Sequence, residues 1–435
     1  MKKGFKILVK DINMKSFKKK YYFISTAVTA LLLTLFIGSC SNDLDVLFPE
    51  WENTPATTAL TSDQKTRMEG IYNVEAGNDQ FGGTVILQWN GDYLTVYTGK
   101  NTGYFLLQGG QLNSTVYVQG LWRYQNNAET GLSQFTITQG ADYVLSNTDS
   151  TSIVLSGTWG NDQGTPSNSV VFKYLRPIKP ELLQNKYYII SHHGSGGGPE
   201  YLPHTENTVE IAKIIERYGC NGIEIDVRIS KDGVPFMYHD NTLNPRLVKK
   251  GSLVGTVESY TYKELQSFVV LYHGERIPTL DAILTAIVED TQLEFVYVDC
   301  KPSAINGLPT IAQVCQDARD LAATIPNRAP IGIYMAMTTD DLVNAMQQVP
   351  NFQNIPTICE LTIDDLNTLN SQVWSPRFTE GTQNSEVEQL HAEGKKAITW
   401  TVNVPALTRQ YLTEGIFDGM LTDYPTELAY YYYGQ

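Results

Sequence analysis

The chain has 435 residues and a formal net charge of −14, with 46 acidic against 32 basic side chains. That length holds a leader and two domains at roughly 150 residues each. The acidic excess excludes nucleic acid as a natural partner, because a phosphate backbone demands clustered Lys and Arg.

Charge is unevenly placed, since residues 1–39 carry eight Lys and one Asp and the remainder stands at −21. Lys18-Lys19-Lys20 precede an apolar run from Phe23 to Ile37, which ends in Gly38-Ser39-Cys40. Charged, apolar and small-residue regions in that order are the layout of a bacterial secretory signal. An uncleaved anchor is the alternative, but about 15 apolar residues fall short of the ~20 needed to span a bilayer. Cys40 after Gly-Ser resembles a lipobox, which implies cleavage before it and diacylglycerol attachment. Residues 1–39 are expected to be a lipoprotein signal peptide. Cys40 then anchors the protein to the bacterial cell envelope, on the periplasmic or surface-exposed side of the outer membrane. Residues 40–65, polar and without apolar periodicity, read as a tether.

From residue 66 to 178 the pattern is of short β-type runs separated by Gly, Asn and Asp turns. The predicted strands are Thr84–Trp89, Tyr93–Thr98, Tyr104–Gln108, Thr115–Tyr124, Phe135–Thr138, Ile153–Trp159 and Val170–Leu175, with Asn90-Gly91-Asp92 as a hairpin turn. Seven or eight strands in this length predict a small all-β domain, an antiparallel sandwich or a lipocalin-like barrel. It contains neither histidine nor cysteine, so no chemistry is expected there. Its aromatics, Trp89, Tyr93, Tyr97, Tyr104, Trp122, Tyr124 and Trp159, suit core and cross-strand packing. A glycan or lipid ligand on an aromatic face is the alternative.

Arg176-Pro177-Ile178-Lys179-Pro180 breaks the pattern, and from 181 to 435 strands alternate with helical periodicity. Strands are predicted at 187–191, 222–227, 234–239, 293–299, 331–335, 357–360, 372–374, 396–401 and 419–422. About 250 residues with eight βα units fit a TIM (β/α)8 barrel. Residues 240–276 read as a loop-rich insertion able to roof a pocket. Cys220, Cys300, Cys315 and Cys359 lie in apolar contexts without Cys-x-x-Cys spacing, so buried free thiols are expected.

The richest segment runs from Asn221 to Asp240. Ile223, Ile225 and Val227 alternate with Glu224, Asp226 and Arg228, so the polar residues share one face of a strand. Two neighbouring carboxylates on a buried strand repel unless a cation lies between them. Lys231-Asp232-Gly233 turns the chain into a second apolar run that ends at His239. Upstream, Tyr187–Ser191 is a strand ending in His192-His193-Gly194, followed by a Gly-rich loop and Glu206-Asn207-Thr208. Downstream, the strand Leu293–Val298 ends in Asp299 and Lys301. Polar residues at the C-terminal ends of different strands are where such barrels place their active sites. Three carboxylates from two strands suit Ca²⁺ or Mg²⁺.

This ordered set resembles the glycerophosphodiester phosphodiesterase family. The resemblance rests on His-x-Gly at 192–194, Glu-Asn-Thr at 206–208, Glu-x-Asp-Val at 224–227, Asp232-Gly233 and His239-Asp240. It continues through Arg246, Ile277–Leu280, Asp299-Cys-Lys301-Pro302, Trp400–Asn403 and Asp418–Pro425, covering roughly residues 186 to 430. It implies a metal-dependent phosphodiesterase acting on glycerophosphodiesters or related lipid headgroups. His192 and His239 are implied as the acid–base pair, and Glu224, Asp226 and Asp299 as the ligands of a divalent cation. Lys301 is placed to meet a phosphate oxygen, and Trp400 to close an apolar side of the pocket.

Two positions depart from the family. His193 stands where an arginine is usual, and a histidine there is a weaker, pH-dependent phosphate donor. Asp299 stands where a glutamate is usual, one methylene longer. Two other functions compete with the first: a phosphatidylinositol phospholipase C-like phosphodiesterase, and a catalytically decayed surface binding lipoprotein. The three carboxylates count against the former, and retention of both histidines against the latter.

Overall fold

The computed structural model describes residues 47–127, 129–148, 152–194 and 202–435. The expected signal peptide, Cys40 and the Gly-rich loop from Ser195 to Pro199 lie outside the described residues.

The first domain is a closed antiparallel barrel in which every strand pairs with its sequence neighbours and the last returns to the first. Its strands are β1 (Gly70–Ala76), β2 (Thr84–Asn90), β3 (Tyr93–Thr98), β4 (Gly103–Leu112), β5 (Thr115–Tyr124), β6 (Thr130–Gln139), β7 (Val154–Trp159) and β8 (Asn168–Arg176). Seven follow the predicted runs, and β1 is the strand that closes the ring by pairing with both β2 and β8. Asn90-Gly91-Asp92 forms the β2–β3 turn, with Gly91 at φ +62°. Gly120 allows β4 and β5 to approach closely, since a Cβ there would lie 1.9 Å from the Leu106 carbonyl oxygen. The interior is filled by Tyr72, Phe81, Phe105, Trp122, Phe135 and Phe172. Trp122 sets its ring edge-on to Tyr124 and Trp159. Most of the aromatics noted in the sequence therefore serve as core.

Residues 47–61 do not hang free. The Trp51 indole donates to the Gly120 carbonyl at 3.0 Å, Thr58 pairs with Gln111, and the Arg123 guanidinium lies 4.5 Å above the Phe48 ring. The polar stretch expected to be a tether is, in its described part, a strap along the barrel wall.

The second domain is a parallel eight-stranded barrel. It comprises β9 (Tyr188–Ser191) and β10 (Gly222–Ile229), then β16 (Phe295–Cys300), β17 (Gly332–Met337), β18 (Thr357–Cys359), β19 (Val373–Trp374), β20 (Lys396–Thr399) and β21 (Gly419–Thr422), which pairs with β9 to close it. Between β10 and β16 come β11 (Pro235–Met237) and the short strands β12 (Thr242–Leu243), β13 (Val248–Gly251), β14 (Gly255–Thr256) and β15 (Val269–Leu271). β11 folds back antiparallel on the end of β10, so the run ending at His239 is a hairpin arm and not a barrel stave. The insertion shares a small core with the β11 arm, in which Leu247, Val257 and Leu265 pack with Phe236, Tyr238 and Ile277.

The two barrels belong to one compact unit. The C-terminal helix Pro425–Tyr433 lies between them: Tyr430 shares a hydrogen bond with Thr84 at 2.9 Å, Tyr433 stacks on Tyr97, and Tyr432 on Tyr187. The tyrosine-rich tail is thus the seam of the molecule, and Tyr432 packs at the N-terminal end of β9. Cys220, Cys300, Cys315 and Cys359 are buried free thiols. Among the described residues no helix is long and apolar enough to cross a membrane.

Candidate active site

Every residue of β10 is buried, because both of its faces are covered. Ile223, Ile225 and Val227 pack among the surrounding helices, which turns Glu224 and Asp226 to the barrel interior. In the parallel register with β16, Asp226 lies opposite Asp299 and Glu224 opposite Tyr297. Glu224, Asp226 and Asp299 each offer one oxygen within 4.8 Å of the others.

The hydrogen bonds around these carboxylates are one-sided. Glu224 Oε2 accepts the His193 backbone N–H at 2.7 Å, and Asp226 Oδ2 accepts the Asn207 amide at 2.6 Å. Lys301 Nζ stands 2.5 Å from both Asp226 Oδ1 and Asp299 Oδ2. Glu224 Oε1 and Asp299 Oδ1 are buried and accept nothing. Burial, and then the charge of Asp226, push the Glu224 carboxyl well above its usual range. Burial opposes ionisation of Asp226 too, yet His193 and Lys301 hold it below the usual range. Buried acceptors without donors on converging carboxylates are what a hard divalent cation satisfies, so the residues fit one.

His192 follows directly on β9, and its Nδ1 lies 2.7 Å from Asp423 Oδ1 beyond β21. Asn403 in turn donates to Asp423 Oδ2 at 2.5 Å and accepts the Asp423 N–H at 2.9 Å. Burial and the adjacent His193 lower the His192 pKa, against the pull of Asp423. His239 leaves the β11 hairpin with Nδ1 2.7 Å from Asp240 Oδ1. Arg228, buried at the end of β10, fixes that turn by donating to the carbonyls of Tyr238 and His239 at 2.9 and 2.6 Å. Both histidines thus spend Nδ1 on a carboxylate, which leaves Nε2 of each for another partner.

His193 takes a left-handed backbone, φ +55°, and is 8% exposed. Its ring lies between the other two, with centroids 3.6 Å from His192 and 4.5 Å from His239. Nε2 stands 3.6 Å from Asp226 Oδ2 and 3.8 Å from Glu224 Oε2, and Nδ1 stands 3.7 Å from Glu206 Oε1. Burial disfavours its charge, but Asp226, Glu224 and Glu206 outweigh that and raise the pKa to about 10. It therefore faces the carboxylates from one side while Lys301 meets Asp226 through the other oxygen. Glu206 is held at about 2, against its burial, by His193 and by Arg246, which grips both its oxygens at 2.7 and 2.8 Å and also binds Asp240.

Several members of this arrangement were not singled out as site residues in the sequence. Asn207, Asp240, Asp423 and Arg246 lay inside the motifs, whose spacing carries no hint of which side chain each would hold. Glu360, directly after β18, accepts from Tyr297 Oη at 2.5 Å, and burial followed by Asp299 lifts its pKa to about 8. An acid closing an apolar strand of a βα unit is the signal that could have found it. Trp400 is half-buried, donates its indole N–H to the Ser375 carbonyl at 2.8 Å, and has the Arg377 guanidinium 5.9 Å from its ring. Outside the site, His204 contacts Glu275 at 3.3 Å and His391 contacts Asp418 at 3.0 Å.

Residues 192–427 match the Glycerophosphoryl diester phosphodiesterase family. A glycerophosphodiester phosphodiesterase of Bacillus altitudinis is 26% identical over 251 residues, covering 54% of this chain and 94% of that protein. Among solved structures, a glycerophosphodiester phosphodiesterase from Parabacteroides distasonis is 18% identical with a TM-score of 0.44, over 57% of this chain and 98% of that one. An Oleispira antarctica phosphodiesterase in complex with its product sn-glycerol-3-phosphate is 19% identical with a TM-score of 0.41, over 56% and 95%. The family match spans more than half of the sequence and contains every strand-end acid and histidine of the site, and the chain belongs to the glycerophosphoryl diester phosphodiesterase family.

Proposed function

We propose that this phosphoric diester hydrolase cleaves glycerophosphodiesters, or related lipid headgroup diesters, to a glycerol phosphate and an alcohol. In this reading His192 and His239 move the protons, and Glu224, Asp226 and Asp299 hold a divalent cation, Ca²⁺ or Mg²⁺. The observation that carries it is the pair of buried, donorless oxygens, Glu224 Oε1 and Asp299 Oδ1, beside two histidines that each keep Nε2 free. A bound cation would draw negative charge from the phosphoryl group.

The protein's own groups do the rest. His192, kept neutral by burial, takes the proton of the glycerol 2-hydroxyl, which attacks phosphorus. His239 gives a proton to the departing alcohol oxygen, and Asp240 steadies the imidazole through Nδ1. Water then opens the cyclic phosphate with the two histidines exchanging roles. Lys301, paired with Asp226 and Asp299, would share these carboxylates with the cation and offer its remaining donor capacity to a phosphate oxygen. Trp400 walls the apolar side of the mouth. The test is turnover of glycerophosphocholine by His192→Ala and His239→Ala, each expected to lose ~10²- to 10⁴-fold in kcat with an unchanged thermal transition. A variant at the wild-type rate removes its histidine from the mechanism.

We further propose that the protein is anchored to the bacterial outer membrane through a lipidated Cys40, on the support of the charged, apolar and small-residue order of residues 18–40. Radiolabelled palmitate incorporated by the wild type and lost in Cys40→Ser is the expected result. Equal labelling of both refutes it.

A further inference from the structure

At the seam between the two barrels lies a cavity of about 380 Å³, on the same end of the parallel barrel as the catalytic residues. Asn101 and Asn126, on turns of the antiparallel barrel, form one side. Asn403, Glu427, Tyr430 and Tyr431 form the other. Asn403 is the residue that holds Asp423, and Asp423 holds His192. The cavity thus reaches His192 through one amide and one carboxylate.

Glu427 is the informative member. Its residue is 7% exposed, and among the described residues its carboxylate has neither a hydrogen-bond nor an ion-pair partner. Burial raises its pKa to about 7, only partly offset by Arg409. A buried carboxylate without a donor is costly, and a ligand that supplies one removes the cost. No Lys or Arg lines the cavity, which counts against a phosphate or other anion. One carboxylate is too few for a metal. Asn101 and Asn126 present donors and acceptors, and Asn403, whose oxygen is taken by Asp423 and Thr422, keeps one N–H. An ammonium group can use only the acceptors, whereas a hydroxyl can both give and accept. Tyrosine rings supply a flat apolar surface for C–H groups.

We infer that this seam cavity binds a neutral polyhydroxyl group, a cyclitol or a hexose, whose hydroxyls donate to Glu427 and pair with Asn101, Asn126 and Asn403. Two sources share that chemistry: the alcohol part of the diester substrate, which rests on the function proposed above, and a separate sugar ligand.

Calorimetric titration of the full chain with myo-inositol and with D-glucose tests the site without reference to turnover. At least one binds saturably, His192→Ala binds as the wild type does, and Glu427→Gln or Asn126→Ala weakens binding by about 10-fold or more, the loss of one hydrogen bond to a charged or buried group. Asn126 is exposed, so its variant separates loss of binding from loss of folding. Absence of polyol binding, binding that neither variant weakens, or Glu427-dependent binding of choline in place of the polyols overturns the inference. The sources are told apart by kcat/KM for glycerophosphoinositol against glycerophosphocholine. A selective fall for the inositol diester in Glu427→Gln assigns the site to the leaving alcohol, whereas an unchanged ratio with weakened polyol binding assigns it to a separate ligand.

Discussion

Replacing His193 with Gln removes the one side chain among the described residues whose positive charge faces Glu206, Glu224 and Asp226 together. Its pKa rises from 6.5 to about 10 in the fold. At ~1.36 kcal/mol per unit this is a stabilisation of at most ~5 kcal/mol, of which ~4 remains at pH 7. The sign follows from the direction of the shift. The folded chain holds this proton more tightly than the unfolded one, so the contribution is complete below about pH 6.5 and disappears as pH rises through about 10. A divalent cation on Glu224 and Asp226 competes for the same negative charge, so the gap between variant and wild type narrows when metal is bound. The assay is thermal unfolding of both proteins at pH 6 and above pH 10, with chelator and with saturating Mg²⁺. With chelator at pH 6, His193→Gln melts well below the wild type, and the difference closes at high pH or with metal. Equal transitions at pH 6 in chelator, or a gap indifferent to pH, refute the carboxylate-bracing role drawn for this residue.

Asp423→Asn withdraws the acceptor that orients His192, so kcat for glycerophosphocholine falls by ~10²-fold or more while KM stays near the wild-type value; a fall in kcat/KM carried by KM alone contradicts a positioning role. Glu360→Gln mimics the protonated carboxyl, whose pKa moves from 4.5 to about 8 in the fold. Because this acid is raised, the fold loses stability as pH climbs through that interval, so the variant equals the wild type below it and is the more stable above. Urea unfolding across the interval reads this directly, and an advantage at low pH would count against it.

The sequence carried the barrel of residues 181–435 well, because parallel strands covered on both faces are written as apolar runs that recur with helical spacers. The carboxylate pair was legible for a related reason: in β10 the period of two separates Ile223, Ile225 and Val227 from Glu224 and Asp226 whatever the rest of the fold does. The antiparallel barrel was less complete. β1 holds Gly70, Asn73 and Glu75 among its seven residues, and its strand character comes from pairing with β8 about a hundred residues away. Residues 47–61 looked like a tether because Phe48 and Trp51 are isolated anchors, and anchoring has no period. The partner of His192 is long-range in the same sense, whereas that of His239 is its neighbour Asp240. Asp423 reaches His192 from 231 residues away, and only closure of the ring by β21 against β9 brings them together. His193 could be placed beside His192 from the sequence, but its left-handed backbone, which turns the ring into the carboxylates, could not.

The central claim is that one divalent cation on Glu224, Asp226 and Asp299 serves the two-histidine hydrolysis of a glycerophosphodiester. Phosphorus NMR of glycerophosphocholine incubated with the full chain tests it most directly, run with Ca²⁺ or Mg²⁺, with chelator, and with metal restored. Glycerol phosphate forms with metal, stops forming in chelator and resumes when metal returns, while Glu224→Gln stays inactive throughout. Hydrolysis that continues undiminished in chelator, or wild-type turnover by Glu224→Gln, contradicts the account.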